Sequence, residues 1–337
     1  MATAATDRYT VKSGSRLRVS RGLVTVTVAL VALVLAGEVL APTSVSHGAL
    51  LGMLPFAAVL AIVGLGQTLV VQQGGIDLSV PGGISLVVVI CTHQPNGDDH
   101  KLLPAVGLAL AMSVAAGALN GFLIGRLGLN PIVATLGMNA LLYAVVLAVS
   151  GGIPRGTTRL LARVAGGLTL GIPNSAYFAL AAVVITTVAM KSTVAGRRFE
   201  AIGANATAAA ATGLKVRRHR GGAYVWAQVF YWLAGVLLAG IVAQPIAYQG
   251  DTYLLPSVAA VVLGGTSLLG GRGYLVATAV AALFLSQLEQ FVLALGVTFA
   301  IRTLVESAAL AIGVALYTVD WRALRVRLLR SPAEAGT

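Results

Sequence analysis

Between Arg21 and Asp77 the chain carries a single Lys, Arg, Asp or Glu, which is Glu38, and comparable uncharged apolar runs recur almost to its end. Charged residues make up 10% of the 337 positions, against about 25% in a typical soluble domain. Counted with glycine, the apolar share is roughly 66%, well above the usual 45–50%. So few charges cannot cover a water-exposed surface of this size, and the excess apolar area must face lipid. A soluble enzyme, a nucleic-acid-binding protein and a disordered chain are thereby excluded, despite a net charge of +12. Cys91 is the only cysteine, which excludes an internal disulfide framework and a four-cysteine zinc site.

A bilayer core of about 30 Å needs roughly 20 apolar residues at about 1.5 Å each. Ten candidate spans follow: 23–41, 49–71, 80–91, 103–124, 131–150, 176–190, 223–243, 256–269, 274–295 and 303–317. Those at 80–91 and 256–269 are short. The runs are apolar all round, unlike the alternating strands of a membrane barrel. The expected fold is therefore all-α, a polytopic integral membrane helical bundle of about ten transmembrane helices. Residues 1–22 and 318–337 form basic tails, and 23–317 form one membrane domain with a loop at 192–220. The basic start before 23–36 also fits a signal peptide, but the run continues past Glu38 and more spans follow, so an uncleaved first helix is expected. With ten spans and the amino terminus in the cytoplasm, 18 of the 23 Lys and Arg residues fall on the cytoplasmic side and 5 outside. That bias puts both termini in the cytoplasm, where the basic groups meet the anionic headgroups of the inner leaflet.

Glycine and small polar residues break the apolar pattern at two places. One holds Gly74, Gly75, Asp77 and Ser79; the other holds Gly264, Gly265, Thr266 and Ser267 and runs on to Gly273. Each adjoins a short span. Irregular backbone at membrane depth is tolerated only where protein or a water-filled cavity satisfies it, and paired interruptions in two halves of a transporter point to a substrate path. Plain glycine-rich turns on the cytoplasmic side remain the alternative. Asp77 adds weight to the path, because an ionisable group at lipid depth is costly; a helix N-cap would also satisfy it. Loop 192–220 is far longer than the 2–8 residues that connect bundle helices. Its alanine-dense stretch 204–211 favours a short helix, stopped at Gly213 between two basic clusters, and it reads as a docking element.

Gly117, Gly121 and Gly125, like Gly48 and Gly52, recur at four-residue spacing and are expected to allow close helix packing. Asn120, Asn139, Gln67 and Gln228 are expected to bond between helices, and Glu306 to pair with Arg302. No phosphate-binding loop of the G-x-x-x-x-G-K-[ST] type occurs. The four histidines show no ligand spacing, and His93 and His100 beside Asp98 and Asp99 read as a solvated turn. No catalytic cluster is evident, so no enzymatic activity, metal or cofactor is expected on this chain.

Four blocks then carry a resemblance. Gly74-Gly75-Ile76-Asp77-Leu78-Ser79, Asn130-Pro131-Ile132-Val133-Ala134-Thr135-Leu136-Gly137-Met138, the stretch from Gly196 to Asn205 and the stretch from Ala259 to Gly273 resemble the permease subunits of bacterial ribose/xylose/arabinose-type ABC importers. They occur in the family's order, and the similarity runs from about residue 48 to 320. The resemblance implies a monosaccharide path through a dimer, made either of two copies or with a sibling permease. It also implies cytosolic ATPase subunits that bind ATP and magnesium, an extracytoplasmic sugar-binding protein, and a place in the bacterial inner membrane. The family's coupling segment falls on Arg197, Arg198, Glu200, Ala201, Gly203, Asn205 and Gly213. Pro81 departs from the small residues usual after the first block, and the arginine-bearing loop 151–175 is compact. An ion-driven secondary transporter is the rival reading; its coupling carboxylates would have to come from Glu38, Asp77, Glu289 and Glu306.

Overall fold

The computed structural model describes residues 20–298, 300, 301, 304, 307, 308 and 311. Most of span 303–317, the Arg302–Glu306 pair and nearly all of both basic tails lie outside the described residues. Among the described residues all twelve α-helices correspond to expected spans or to the two long loops: α1 (Arg21–Leu40), α2 (His47–Gln72), α3 (Val80–His93), α4 (Leu102–Gly125), α5 (Pro131–Ser150), α6 (Arg159–Gly166), α7 (Asn174–Ser192), α8 (Val194–Ala204), α9 (Ala206–Ala211), α10 (Val216–Ile241) and α11 (Leu254–Leu263). The twelfth, α12, spans Leu275–Ala294. A two-residue hairpin, β1 (Leu168–Thr169) and β2 (Ile172–Pro173), sits between α6 and α7.

Seven helices (α1, α2, α4, α5, α7, α10 and α12) are long and apolar enough to cross a bilayer. At about 1.5 Å per residue, α3 reaches only about 21 Å and α11 about 15 Å. Both short spans are therefore real helices, and each ends against a glycine-rich break.

The centre of the body is α3, buried from Val80 to Thr92 and wrapped by α4, α5 and α10. Beside it lies the second half of α2, buried from Ala57 to Gln72 and packed on α10, α12 and α7. α1 packs on α12, and a side chain at Gly22 would strike the Gly264 carbonyl, so α1 is an integral part of the bundle.

α4 packs closely on α10, and glycine permits it. A Cβ on Gly117 would lie 2.7 Å from the Val225 Cα, and one on Gly125 2.7 Å from the Arg217 carbonyl. Gly121 faces Gly221, with a Cβ 2.5 Å from its carbonyl oxygen. The four-residue stripe is thus internal packing. Gly48 and Gly52 differ: among the described residues nothing lies within 4 Å of where their Cβ atoms would sit, so the equal spacing corresponds to a face of α2 that no described residue covers.

Loop 192–220 holds two helices where one, at 204–211, was expected. Thr193 caps α8 by accepting from Gly196 N, and Asn205 caps α9 by accepting from Ala208 N. Each cap satisfies backbone donors at a helix start and so divides the segment at Asn205. Gly213, at φ +82°, ends it.

Candidate coupling and translocation site

At the end of α2 the chain turns back on Gly74, whose φ of +77° suits glycine alone. Gly75 then passes against the Tyr224 hydroxyl, where a side chain would not fit. Asp77 follows, fully buried. Its carboxylate does not cap α3; Oδ1 accepts from Ser79 N at 2.8 Å and from Ser79 Oγ at 2.5 Å. The Ser79 hydroxyl in turn accepts from Asn120 Nδ2 of α4 at 3.1 Å and from Gln228 Nε2 of α10 at 2.9 Å.

The start of α3 is capped from α5. Asn139 Oδ1 accepts from Gly82 N at 2.8 Å, and Thr135 Oγ1 accepts from Leu78 N at 3.0 Å. Pro81, a departure in sequence, sits in the first turn, where its missing N–H leaves nothing unpaired. Gln67 accepts from the Tyr231 hydroxyl at 3.0 Å. Asn120, Asn139, Gln67 and Gln228 therefore all bond between elements, as their placement in apolar runs suggested. An unpaired polar group here would cost several kcal/mol in hydrocarbon, of order 1–3 in a protein interior, and these bonds join the break and the start of α3 to α4, α5 and α10.

The second break closes onto the first. Gly271 N donates to the Gln72 carbonyl at 3.1 Å. A Cβ on Gly273 would lie 2.7 Å from Gln72 Oε1, and one on Gly270 3.2 Å from Gly74 N. Gly265, Gly270 and Gly271 all have positive φ, so this loop needs glycine for its path as well as for its fit. Thr266 is buried and accepts from Tyr274 N, which starts α12; Gly264 lies under the α12 backbone, with a Cβ 2.8 Å from Thr278 N. Ser267 is exposed.

The same point receives α8. Gly203 packs against the Gln72 carbonyl, which leaves no room for a side chain, and Gln73 Nε2 donates to the Phe199 carbonyl at 2.9 Å. Three separate stretches of sequence, around positions 72, 203 and 271, thus meet at the end of α2. Arg197, Arg198, Ala201, Asn205 and Gly213 point outward into the open, Glu200 is half-buried, and Gly196 and Ile202 are buried on the inner side. α8 is a helix with one face fastened to the body and the other available to a partner.

About 24 Å away along α2, a cleft of about 340 Å³ opens between α2, α11 and α12. Gly52 and Phe56 form one side, and Gln249, Thr252, Ser286, Glu289 and Gln290 bring polar groups to the other. Gln249, Thr252, Ser286 and Gln290 did not stand out in the sequence, and Gln72 and Gln73 did so only as the residues that lead into the first break. The only signal for the hub was a pair of glutamines at the end of an apolar helix. Among the described residues no three His, Cys, Asp or Glu side chains cluster as metal ligands would.

Residues 49–317 match the family described as branched-chain amino acid transport system / permease component. A ribose import permease protein, RbsC, of Bacillus subtilis is 34% identical over 290 residues, covering 84% of this chain and 89% of that protein. A probable ABC transporter permease protein, y4mJ, of Sinorhizobium fredii is 34% identical over 272 residues, 80% of this chain and 81% of that one. A fructose import permease protein, FruF, of Bifidobacterium longum is 30% identical over 256 residues, 74% and 72% of the two chains. No solved structure matches the chain.

Proposed function

The chain belongs to the branched-chain amino acid transport system / permease component family of membrane transport subunits, and on that premise we propose that it carries a monosaccharide through the bacterial inner membrane as the permease of an ABC importer. Relatives that cover more than two thirds of this chain are named for ribose and fructose import, and the chain's own residues suit a polar solute: the cleft beside α12 offers amide, hydroxyl and carboxylate groups.

The translocation path runs from that cleft toward the glycine breaks, with Gly74, Gly75, Asp77, Ser79, Gly264, Gly265, Thr266 and Ser267 at its inner end. Two permease copies, or this chain and a sibling, enclose it, which gives the open Gly48–Gly52 face a use. Both termini and α8–α9 lie in the cytoplasm, and the tenth span is 303–317. ATP and magnesium bind a separate ATPase, which presses on Arg197, Arg198, Glu200, Ala201, Gly203, Asn205 and Gly213. A binding protein delivers sugar at the opposite face.

The observation that carries this reading is the meeting of α8 with both breaks at Gln72. A push on α8 reaches the ends of α2 and α12 directly, through Gly203 and Gln73. The test is Gln73→Leu, which removes the bond to the Phe199 carbonyl without adding bulk. In proteoliposomes holding the permease, its ATPase and its binding protein, the sugar moved per ATP hydrolysed is expected to fall several-fold while the complex still assembles. An unchanged ratio would refute the role given to this junction.

A further inference from the structure

α2 packs against both α7 and α10, and between the latter two a slot of about 600 Å³ remains, with Leu69 of α2 on its floor. One wall is the α10 face of Arg218, Gly222, Trp226, Phe230 and Leu233, positions three or four apart and so on one side of the helix. The other is the α7 face of Ile185, Ala189 and Thr193. Nothing lies within 4 Å of where a Gly222 Cβ would sit, which keeps the slot open near its charged end.

Apart from Thr186 and Thr193 its lining is apolar except at that end, where Arg218 and His219 stand, and among the described residues no acidic side chain lines it. From Arg218 to Leu233 is about 22 Å of helix. One leaflet offers about 15 Å of hydrocarbon and a further 5–7 Å of headgroup region. Trp226, 60% exposed, lies about 12 Å along the helix from Arg218 and so at the depth of the outer hydrocarbon.

We propose that this slot is a binding site for one anionic phospholipid, its phosphate on Arg218 and an acyl chain lying along Trp226, Phe230 and Leu233. A second copy of the chain fits less well, because it would bring its own basic stretch at 215–220 against this one. Phe199 of α8 also lines the slot, and its carbonyl holds Gln73. An occupied slot therefore braces the segment that joins α8 to the end of α2. The inference rests on the membrane placement alone and stands apart from the identity of the solute.

The experiment is native mass spectrometry of the purified full chain with phosphatidylglycerol and phosphatidylcholine of identical acyl chains. Wild type is expected to retain one phosphatidylglycerol with at least five-fold preference. Arg218→Gln is expected to abolish that preference, and Arg217→Gln, beside the slot but not in it, to leave it. Gly222→Leu, which fills the slot, is expected to cut retention of both lipids at least five-fold. Equal retention of the two lipids by wild type would overturn the proposal. So would equal behaviour of the Arg218 and Arg217 variants, a cross-link placing residues 312–337 or a second copy in the slot, or undiminished retention in a folded Gly222→Leu. If that variant does not fold, the two arginine variants decide.

Discussion

The Ser79 hydroxyl donates to Asp77 and accepts from Asn120 and Gln228, so removing it takes the partner from two buried amide donors and leaves Asp77 Oδ1 with only the Ser79 N–H. Ser79→Ala is expected to cost about 1–3 kcal/mol, read as a fall in the thermal midpoint of the purified protein. Membrane helices often recover part of such a loss by finding other partners, but this site is 0% exposed, so bulk water cannot take the hydroxyl's place. Asp77 behaves differently under substitution. Both of its hydrogen bonds to Ser79 need only an acceptor oxygen, which asparagine retains. Asp77→Asn is therefore expected to stay within about 1 kcal/mol of wild type, and Asp77→Leu, which strands Ser79, to lose more than that. Equal losses in the two variants would show that the negative charge, and not the acceptor geometry, is what the break requires.

The fit of α4 on α10 makes a prediction about whole elements. Gly121→Ala puts a Cβ 2.5 Å from the Gly221 carbonyl, forces the helices apart, and is expected to destabilise by about 1–3 kcal/mol. Gly137→Ala on α5 meets nothing within 4 Å and gains helix propensity, so it is expected to be neutral or stabilising by up to about 1 kcal/mol. A denaturation series on the two variants checks the contrast. Helices were the most legible part of the sequence: nine of the ten expected spans coincide with observed helices within a few residues at most ends, because lipid imposes both length and composition. Spacing was less informative. Gly117–Gly121–Gly125 and Gly48–Gly52 share one period, yet among the described residues only the first has a neighbour, since a period marks a face and not what lies against it. The division of loop 192–220 at Asn205 was readable in principle, through a capping residue standing before an alanine run.

At the scale of the molecule, the two breaks and the long loop were each visible in the sequence, but their meeting at Gln72 was not. Gly203 and Gly271 lie far along the chain from it, and the contacts run through backbone atoms that carry no residue signature. Orientation is checked separately. Cys91 is buried and gives little background, so Arg220→Cys is expected to label from the cytoplasmic side and Arg159→Cys from the outside; the reverse pattern would invert the proposed topology. Coupling is tested most directly by sugar accumulation in proteoliposomes, comparing wild type with a chain lacking Ala206–Ala211. Wild type is expected to concentrate sugar only when the ATPase, its nucleotide and the binding protein are all present. The deleted chain is expected to insert, to permit ATP hydrolysis and to accumulate none. Uphill movement without the ATPase, or full accumulation by the deleted chain, would contradict a conduit driven from outside through α8 and α9.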